Sequence, residues 1–168
     1  ASLDDNIGRL LQHLEDRGLA DNTIVIYSSD QGFFLGEKGW YDKRWMYDES
    51  MRMPLIVRWP GVTDPGSISS VPVSSVDFYS TILDMAGIEM EADPGQQVDG
   101  RSIVPVFRDP DHVLEREALY WHFPHYYPTT KPVCAMRQGR WKLLHYYEDD
   151  HVELYDLEKD PGEQHDLA

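Results

Sequence analysis

The sequence holds a single cysteine, Cys134, and half as many basic as acidic residues, 15 against 30. One cysteine excludes a disulfide within the chain and any cysteine-based zinc site. It leaves the compartment open. No apolar run approaches the roughly 18 residues that a membrane helix needs, so no membrane partner is expected. The stretch from Ala1 to Asn6 lacks the features of a signal peptide. A formal net charge of −15 repels nucleic-acid phosphates and anionic membranes, so no nucleic-acid partner is expected either. The same charge repels anionic substrates at long range, and any site for one must concentrate positive charge locally. The chain has no internal repeat and no low-complexity tract.

What is present is bulk. The 168 residues are 41% hydrophobic and include five Trp, ten Tyr and five Phe. That suffices for one domain with a core, or a domain with a small appendage, and argues against disorder. Ser2 and Asp5 form a capping box, after which Leu3, Ile7, Leu10, Leu11 and Leu14 share one helical face up to Gly18. Thr23 to Tyr27 is β-branched and apolar and predicts a strand buried on both faces. Helix, turn and buried strand together suggest an α/β sheet with helical crossovers.

Residues 30–53 read as a long irregular loop behind that strand, where open α/β sheets place their sites. Pro54 to Trp59 predicts a second strand. Ser74 and Asp77 open another capped helix, which runs to Gly87. Residues 91–101 form a polar loop, and Ser102 to Phe107 a short helix. From about residue 111 the pattern changes to short strands: Ala118 to Phe123, Val133 to Gln138, Trp141 to Tyr147 and Val152 to Leu157. Gly139-Arg140 suits a tight hairpin between the middle two. The expected organisation is an α/β portion over 1–110 and an antiparallel subdomain over 111–168.

Asp30-Gln31-Gly32 stands where the first strand ends. A carboxylate beside an amide carbonyl is a pair of hard oxygen ligands, suited to calcium or magnesium, whereas a zinc site would more naturally use histidine. An aspartate at a strand end is more often a simple turn former, so this triplet alone decides nothing.

Its surroundings carry more information. Ser29-Asp30-Gln31-Gly32, then Leu35-Gly36-Glu37-Lys38-Gly39, then Lys43, strongly resemble the sulfatase family of the alkaline phosphatase superfamily. The resemblance continues through Arg44 to Gly61, resumes at Val73 to Asp77, Leu83 to Ile88 and Asp99 to Ser102, and recurs at Arg140 to Leu143, Glu153 to Leu157 and Asp160 to Glu163. It implies the C-terminal part of an alkaline-phosphatase-like α/β domain with a small antiparallel β subdomain. It also implies that Asp30 and Gln31 are two of the calcium ligands, the others coming from an aspartate pair outside this chain. By the same resemblance, Lys43 binds a sulfate oxygen and assists departure of the leaving oxygen. Lys38 stands where many relatives have histidine; it is either near the sulfate or an exposed loop lysine. Arg52 is expected to pair with Asp48 or Glu49.

In this family the nucleophile is a formylglycine made from cysteine within Cys-x-Pro/Ala-Ser/Ala-Arg. Here the cysteine is followed by Met136 at the second place and Gln138 at the fourth. Cys134 is therefore expected to be a small buried core residue, and the chain alone is expected to be inactive; with half of the calcium ligand set missing, it is also expected to bind Ca2+ weakly or not at all. Trp121-His122-Phe123-Pro124-His125 is similar to segments of bacterial carbohydrate sulfatases; His122 and His125 are candidate substrate-lining residues, set against a packed strand as the plainer alternative. If that segment is a strand, Trp121 and His122 point to opposite faces. His145 and His151 read as surface residues, and Glu148-Asp149-Asp150 as a solvated turn.

The implied partner is a sulfated carbohydrate or an aryl sulfate. Self-association through exposed apolar surface is a further expectation, and the parent protein is expected to be periplasmic or secreted. Two alternatives stand beside the sulfatase reading: a phosphodiesterase or phosphonate monoester hydrolase of the same superfamily, and a non-catalytic interaction domain.

Overall fold

The computed structural model describes residues 2–89 and 97–168. Of the polar loop expected over 91–101, residues 91–96 lie outside the described residues. The chain forms two compact units. The first comprises Ala1–Ser28, Leu55–Val71 and Asp77–Val113; the second comprises Ser29–Pro54, Pro72–Val76 and Leu114–Ala168.

In the first unit, helix α1 (Ser2–Asp16) precedes strand β1 (Val25–Ser28), which pairs with β4 (Leu55–Arg58). The pairing is antiparallel, with Ile26 opposite Val57. Helices and strands are mixed, as the α/β reading expects, but every strand pair among the described residues is antiparallel, so the helical crossovers are not seen among them. The expectation that the first strand is buried on both faces also fails. Ile26 and Tyr27 are exposed, as is Ile56 on β4, because the two strands form a sheet of their own. The apolar stripe of α1 is likewise half-open: Ile7, Leu11 and Leu14 are partly buried, Leu3 and Leu10 exposed. No described helix is long and apolar enough to cross a membrane.

Helix α3 (Asp77–Met85) explains two of the motifs. Fully buried Asp77 accepts the Arg101 N–H through Oδ1 at 3.0 Å. Thr81 Oγ1 donates to the Asp77 carbonyl at 2.6 Å and accepts the Ile103 N–H at 3.1 Å. Ser80 donates to the Gly100 carbonyl, and Ser102 to Asp84. The Asp99 to Ser102 segment is thus fastened along α3, ahead of α4 (Val104–Arg108), whose first turn buries Val104 and Val106.

The second unit is built on a four-stranded antiparallel sheet in the order β5 (Leu119–Phe123), β6 (Val133–Gln138), β7 (Trp141–Tyr146), β8 (Val152–Asp156). Gln138 pairs with Trp141 across Gly139-Arg140, and Gly139 takes a φ of 56°, as the tight hairpin requires. One face of the sheet supplies Val133, Ala135, Leu144 and Tyr155 to a core completed by Phe34, Trp45, Met46 and Tyr47. Trp40 stacks on Trp45 with centroids 4.6 Å apart, and Phe34 packs edge-on to both. Phe34 begins β2 (Phe34–Leu35), which pairs with β3 (Tyr41–Asp42); the one-turn helix α2 (Asp48–Met51) follows. The irregular loop read from the sequence therefore contains a small ribbon, and its aromatics are its anchor.

Candidate functional site

The segments carrying Asp30-Gln31 and Lys43 are both fastened to one residue, Ser50 of α2. The Gly32 N–H donates to the Ser50 carbonyl at 2.8 Å, and the Arg44 N–H donates to Ser50 Oγ at 2.9 Å. Ser50 is buried, so neither bond competes freely with water. Gly32 is needed for its size: a Cβ there would stand 2.2 Å from the Glu49 carbonyl oxygen and 2.8 Å from that of Arg52. Gly32→Ala is expected to destabilise the protein by about 3 kcal/mol, the upper end of overpacking penalties, because backbone rather than a side chain must yield. The urea midpoint at constant m-value reads this, and an unchanged midpoint would contradict the close approach.

Ahead of Gly32, the Ser29 hydroxyl reaches the Gln31 carbonyl at 2.9 Å and Asp30 Oδ1 at 3.3 Å. The Gln31 amide lies beside the Asp30 carboxylate, with Nε2 3.5 Å from Oδ2. Turning that amide by half a rotation exchanges nitrogen for oxygen and presents two hard donors side by side. The pair therefore fits a calcium ion in kind. It falls short in number, since calcium takes roughly 6 to 8 oxygens. No cluster of three or more acidic, histidine or cysteine side chains that could complete a site exists among the described residues.

Lys43 is half-buried, and its ammonium makes no hydrogen bond or ion pair among the described residues. Its neighbours Asp42 and Arg44 hold φ angles of 152° and 86°. Each such non-glycine conformation costs about 1–3 kcal/mol and persists only where the surroundings over-determine it.

The other lysine of the loop has a different task. Lys38 Nζ donates to the carbonyls of Gly162 and Glu163 at 2.7 and 2.5 Å and stands 4.6 Å from the centre of the Tyr47 ring. Two of its N–H groups are thereby committed to the turn around residue 162. Asp48 does not pair with Arg52, as had been expected. Its carboxylate takes Lys142 Nζ at 2.8 Å, and Arg52 gives only its backbone N–H to the Asp48 carbonyl. Lys142 also reaches Glu163 Oε1 at 2.7 Å, while Glu163 Oε2 accepts the Asp48 N–H at 2.6 Å. Lys142 and Glu163 are both almost wholly buried. Of Glu49, Oε2 is buried without a hydrogen-bond partner. The sequence reading missed the burial of Lys142; the signal available was only that it lies one strand position from Trp141.

Beside this pair, Tyr47 and Tyr155 both donate to Glu153 Oε2, at 2.7 and 2.8 Å. Burial first, then hydrogen bonds (Tyr146 and Glu153 for Tyr47, Glu153 for Tyr155), push both phenols well above the ordinary value of 10. The folded state keeps protons that the unfolded chain releases, so this contribution is complete below about pH 10 and is lost as pH rises beyond it. Urea midpoints should fall steeply above about pH 10, and less steeply in Tyr155→Phe. Parallel falls in both proteins would show that these phenols are not responsible.

His122 lies on the outer sheet face, opposite in direction to half-buried Trp121, and its Nδ1 is 2.9 Å from the Tyr147 hydroxyl. It pairs across the sheet with Cys134, which pairs with His145; Tyr120 and Met136 extend this row into a groove of about 370 Å³. Cys134 is thus half-buried at a groove, not the core residue expected from its type. His125 is exposed, edge-on to Phe123 at 5.4 Å. No hydrogen bond or ring contact joins either histidine to Asp30, Gln31 or Lys43 among the described residues. His145 pairs with Asp150 and His151 with Glu153. Glu148 is not merely solvated, for it holds Lys131 at 2.5 Å.

A family model described as N-sulphoglucosamine sulphohydrolase, C-terminal, matches residues 36–168. The chain belongs to this sulfatase family, of the alkaline phosphatase superfamily. An N-acetylglucosamine-6-O-sulfatase of Bacteroides thetaiotaomicron is 45% identical over 99% of this chain and 30% of its own length. A solved structure of a protein in complex with its substrate, D-glucosamine-2-N,6-O-disulfate, superposes with a TM-score of 0.87 at 45% identity, over 98% of this chain and 33% of that one. A phosphonate monoester hydrolase of Agrobacterium radiobacter matches with a TM-score of 0.80 at 26% identity, over 98% of this chain and 34% of that one. The chain spans about a third of the length of the relatives it matches.

Proposed function

We propose that the protein to which this chain contributes hydrolyses sulfate esters of carbohydrates, with 6-O-sulfated glucosamine the first substrate to test. The observation that carries this reading is the double fastening on Ser50, which ties an acid–amide pair and a lysine without a partner among the described residues to a single helical turn. Lys43 supplies the local positive charge that an acidic protein needs to hold a sulfate, and its ammonium offsets charge developing on sulfate and leaving-group oxygens. Asp30 and Gln31 would supply part of the coordination shell of a calcium ion, which when bound would polarise the sulfate oxygens. In this reading His122 and His125 hydrogen-bond sugar hydroxyls. Lys38 ties the loop to the carbonyls of Gly162 and Glu163.

The chain carries no formylglycine motif and only part of a calcium ligand set, so it is expected to lack turnover alone and to bind calcium weakly or not at all. The experiment compares the full-length protein with this chain, using glucosamine 6-sulfate, an aryl sulfate and the matching phosphonate and phosphate esters. Sulfate turnover confined to the longer protein is the expected result. A preference for phosphonate or phosphate esters would favour the second reading, which the likeness to the Agrobacterium hydrolase supports. Tight stoichiometric calcium binding by this chain in calorimetry would overturn the partial-site assignment.

A further inference from the structure

The strained turn around Lys43 is held from one side by a residue that the catalytic reading does not use. Arg44, with its φ of 86°, has three fixed attachments. Its N–H goes to Ser50 Oγ, its guanidinium pairs with Asp42 Oδ1 at 3.4 Å, and the same guanidinium lies 4.1 Å from the centre of the Tyr127 ring. The first two attachments come from within the loop itself. Only the third reaches outside it, to the segment between β5 and β6. A guanidinium at that distance over a tyrosine face is attracted by the ring quadrupole and loses little freedom on binding, because it is planar.

Tyr127 is itself held. Its N–H donates to the Thr130 carbonyl at 3.0 Å, and the Thr130 N–H returns to the Tyr127 carbonyl at 3.1 Å. Thr130 is buried, so the turn Tyr127-Pro128-Thr129-Thr130 is a braced support and not a loose loop. Lys43 stands between Asp42 and Arg44, the two residues joined by the ion pair under that ring, and has no partner among the described residues to aim its own side chain.

We propose that Tyr127 is a positioning residue for Lys43: its ring clamps Arg44, the clamp holds the strained 42–44 turn, and the turn sets the direction in which the Lys43 ammonium leaves the backbone. The assignment rests on the sulfate-binding role given to Lys43. It makes the segment after β5 part of the reaction apparatus through its grip on the loop, separately from any contact that His122 or His125 makes with sugar.

The test has two readouts. In this chain, hydrogen exchange at the Arg44 amide reports the turn directly. Tyr127→Leu and Arg44→Gln should each lose protection there, and Tyr127→Phe should keep it. In the full-length protein, the same two disruptive variants should lower kcat for the sulfate ester about tenfold or more, the scale of loss from a small misplacement of a catalytic group, with KM little changed. Tyr127→Phe should restore kcat, since only the ring is required. Because Arg44→Gln leaves the Tyr127 turn intact, it keeps the test valid if Tyr127→Leu folds poorly. Unchanged protection at Arg44 in both variants would overturn the clamp, as would a kcat loss that phenylalanine fails to restore. If Lys43→Ala leaves turnover intact while protection at Arg44 responds as described, the clamp stands and the sulfate role of Lys43 is what fails.

Discussion

Lys43→Ala in the full-length protein is expected to lower kcat for a carbohydrate sulfate by about 10²–10³-fold, the loss seen when one preorganised charge-stabilising donor is removed. The argument is electrostatic. The chain carries 30 acidic residues against 15 basic ones, so a sulfate gains nothing from the general field. Attraction must come from a cation held in place before the substrate arrives. Lys43 qualifies because its ammonium has no other partner among the described residues and its backbone is fixed by strained neighbours. Lys38 does not, since two of its three N–H groups are committed to the carbonyls of residues 162 and 163. Lys43→Arg should recover only part of the rate: charge is kept, but the fork-shaped head reaches a different point. A variant lacking the lysine that keeps more than half the wild-type kcat would remove Lys43 from the mechanism.

The second large effect concerns stability. Lys142→Met is expected to cost about 3–5 kcal/mol, because it leaves a buried carboxylate without its counter-charge. Adding Glu163→Gln to it should recover much of the loss, since an amide still accepts the Asp48 N–H and carries no charge to desolvate. Burial already pushes the Glu163 carboxyl up against the opposing pull of Lys142. Without the lysine it is raised further, so the folded variant gains relative stability as pH falls through the carboxylate range and loses it as pH rises. Chemical unfolding of the two single variants and the double variant, at neutral and mildly acidic pH, measures all three statements. A single-variant loss below about 1 kcal/mol would mean that the pair is solvated after all.

The strands of the second unit were legible because each is short, alternating and bounded by turn residues, and Gly139-Arg140 marked the hairpin within a residue. Asp30, Gln31 and Lys43 were singled out through the resemblance of their surroundings, and the fold fastens both segments that carry them to Ser50. What the sequence could not convey was direction. In Trp141-Lys142-Leu143-Leu144 either alternate set can face inward, and size favours Trp141; the fold buries Lys142 at 1% exposure and leaves Trp141 at 40%. The inward choice was made by Asp48 and Glu163, residues far away in the chain. Arg52 was misassigned for the same reason, since a neighbour in sequence lost its acid to a more distant lysine. Cys134 was taken for core because small apolar residues usually are, yet its register beside His122 and His145 puts it on the outer face. The first strand misled for another reason: an apolar β-branched run states what a strand is able to bury, not what it finds to pack against.

The contact between Asp48 and Glu163 spans 115 residues. During synthesis, the turn that carries Ser50 is made early and acquires its brace only after residue 163 has emerged and folded back. Until then the acid–amide pair and the lysine hang from an unsupported peg. A nascent chain, or one clipped before that glutamate, would keep Asp30, Gln31 and Lys43 and still lack the bond that braces the turn they hang from.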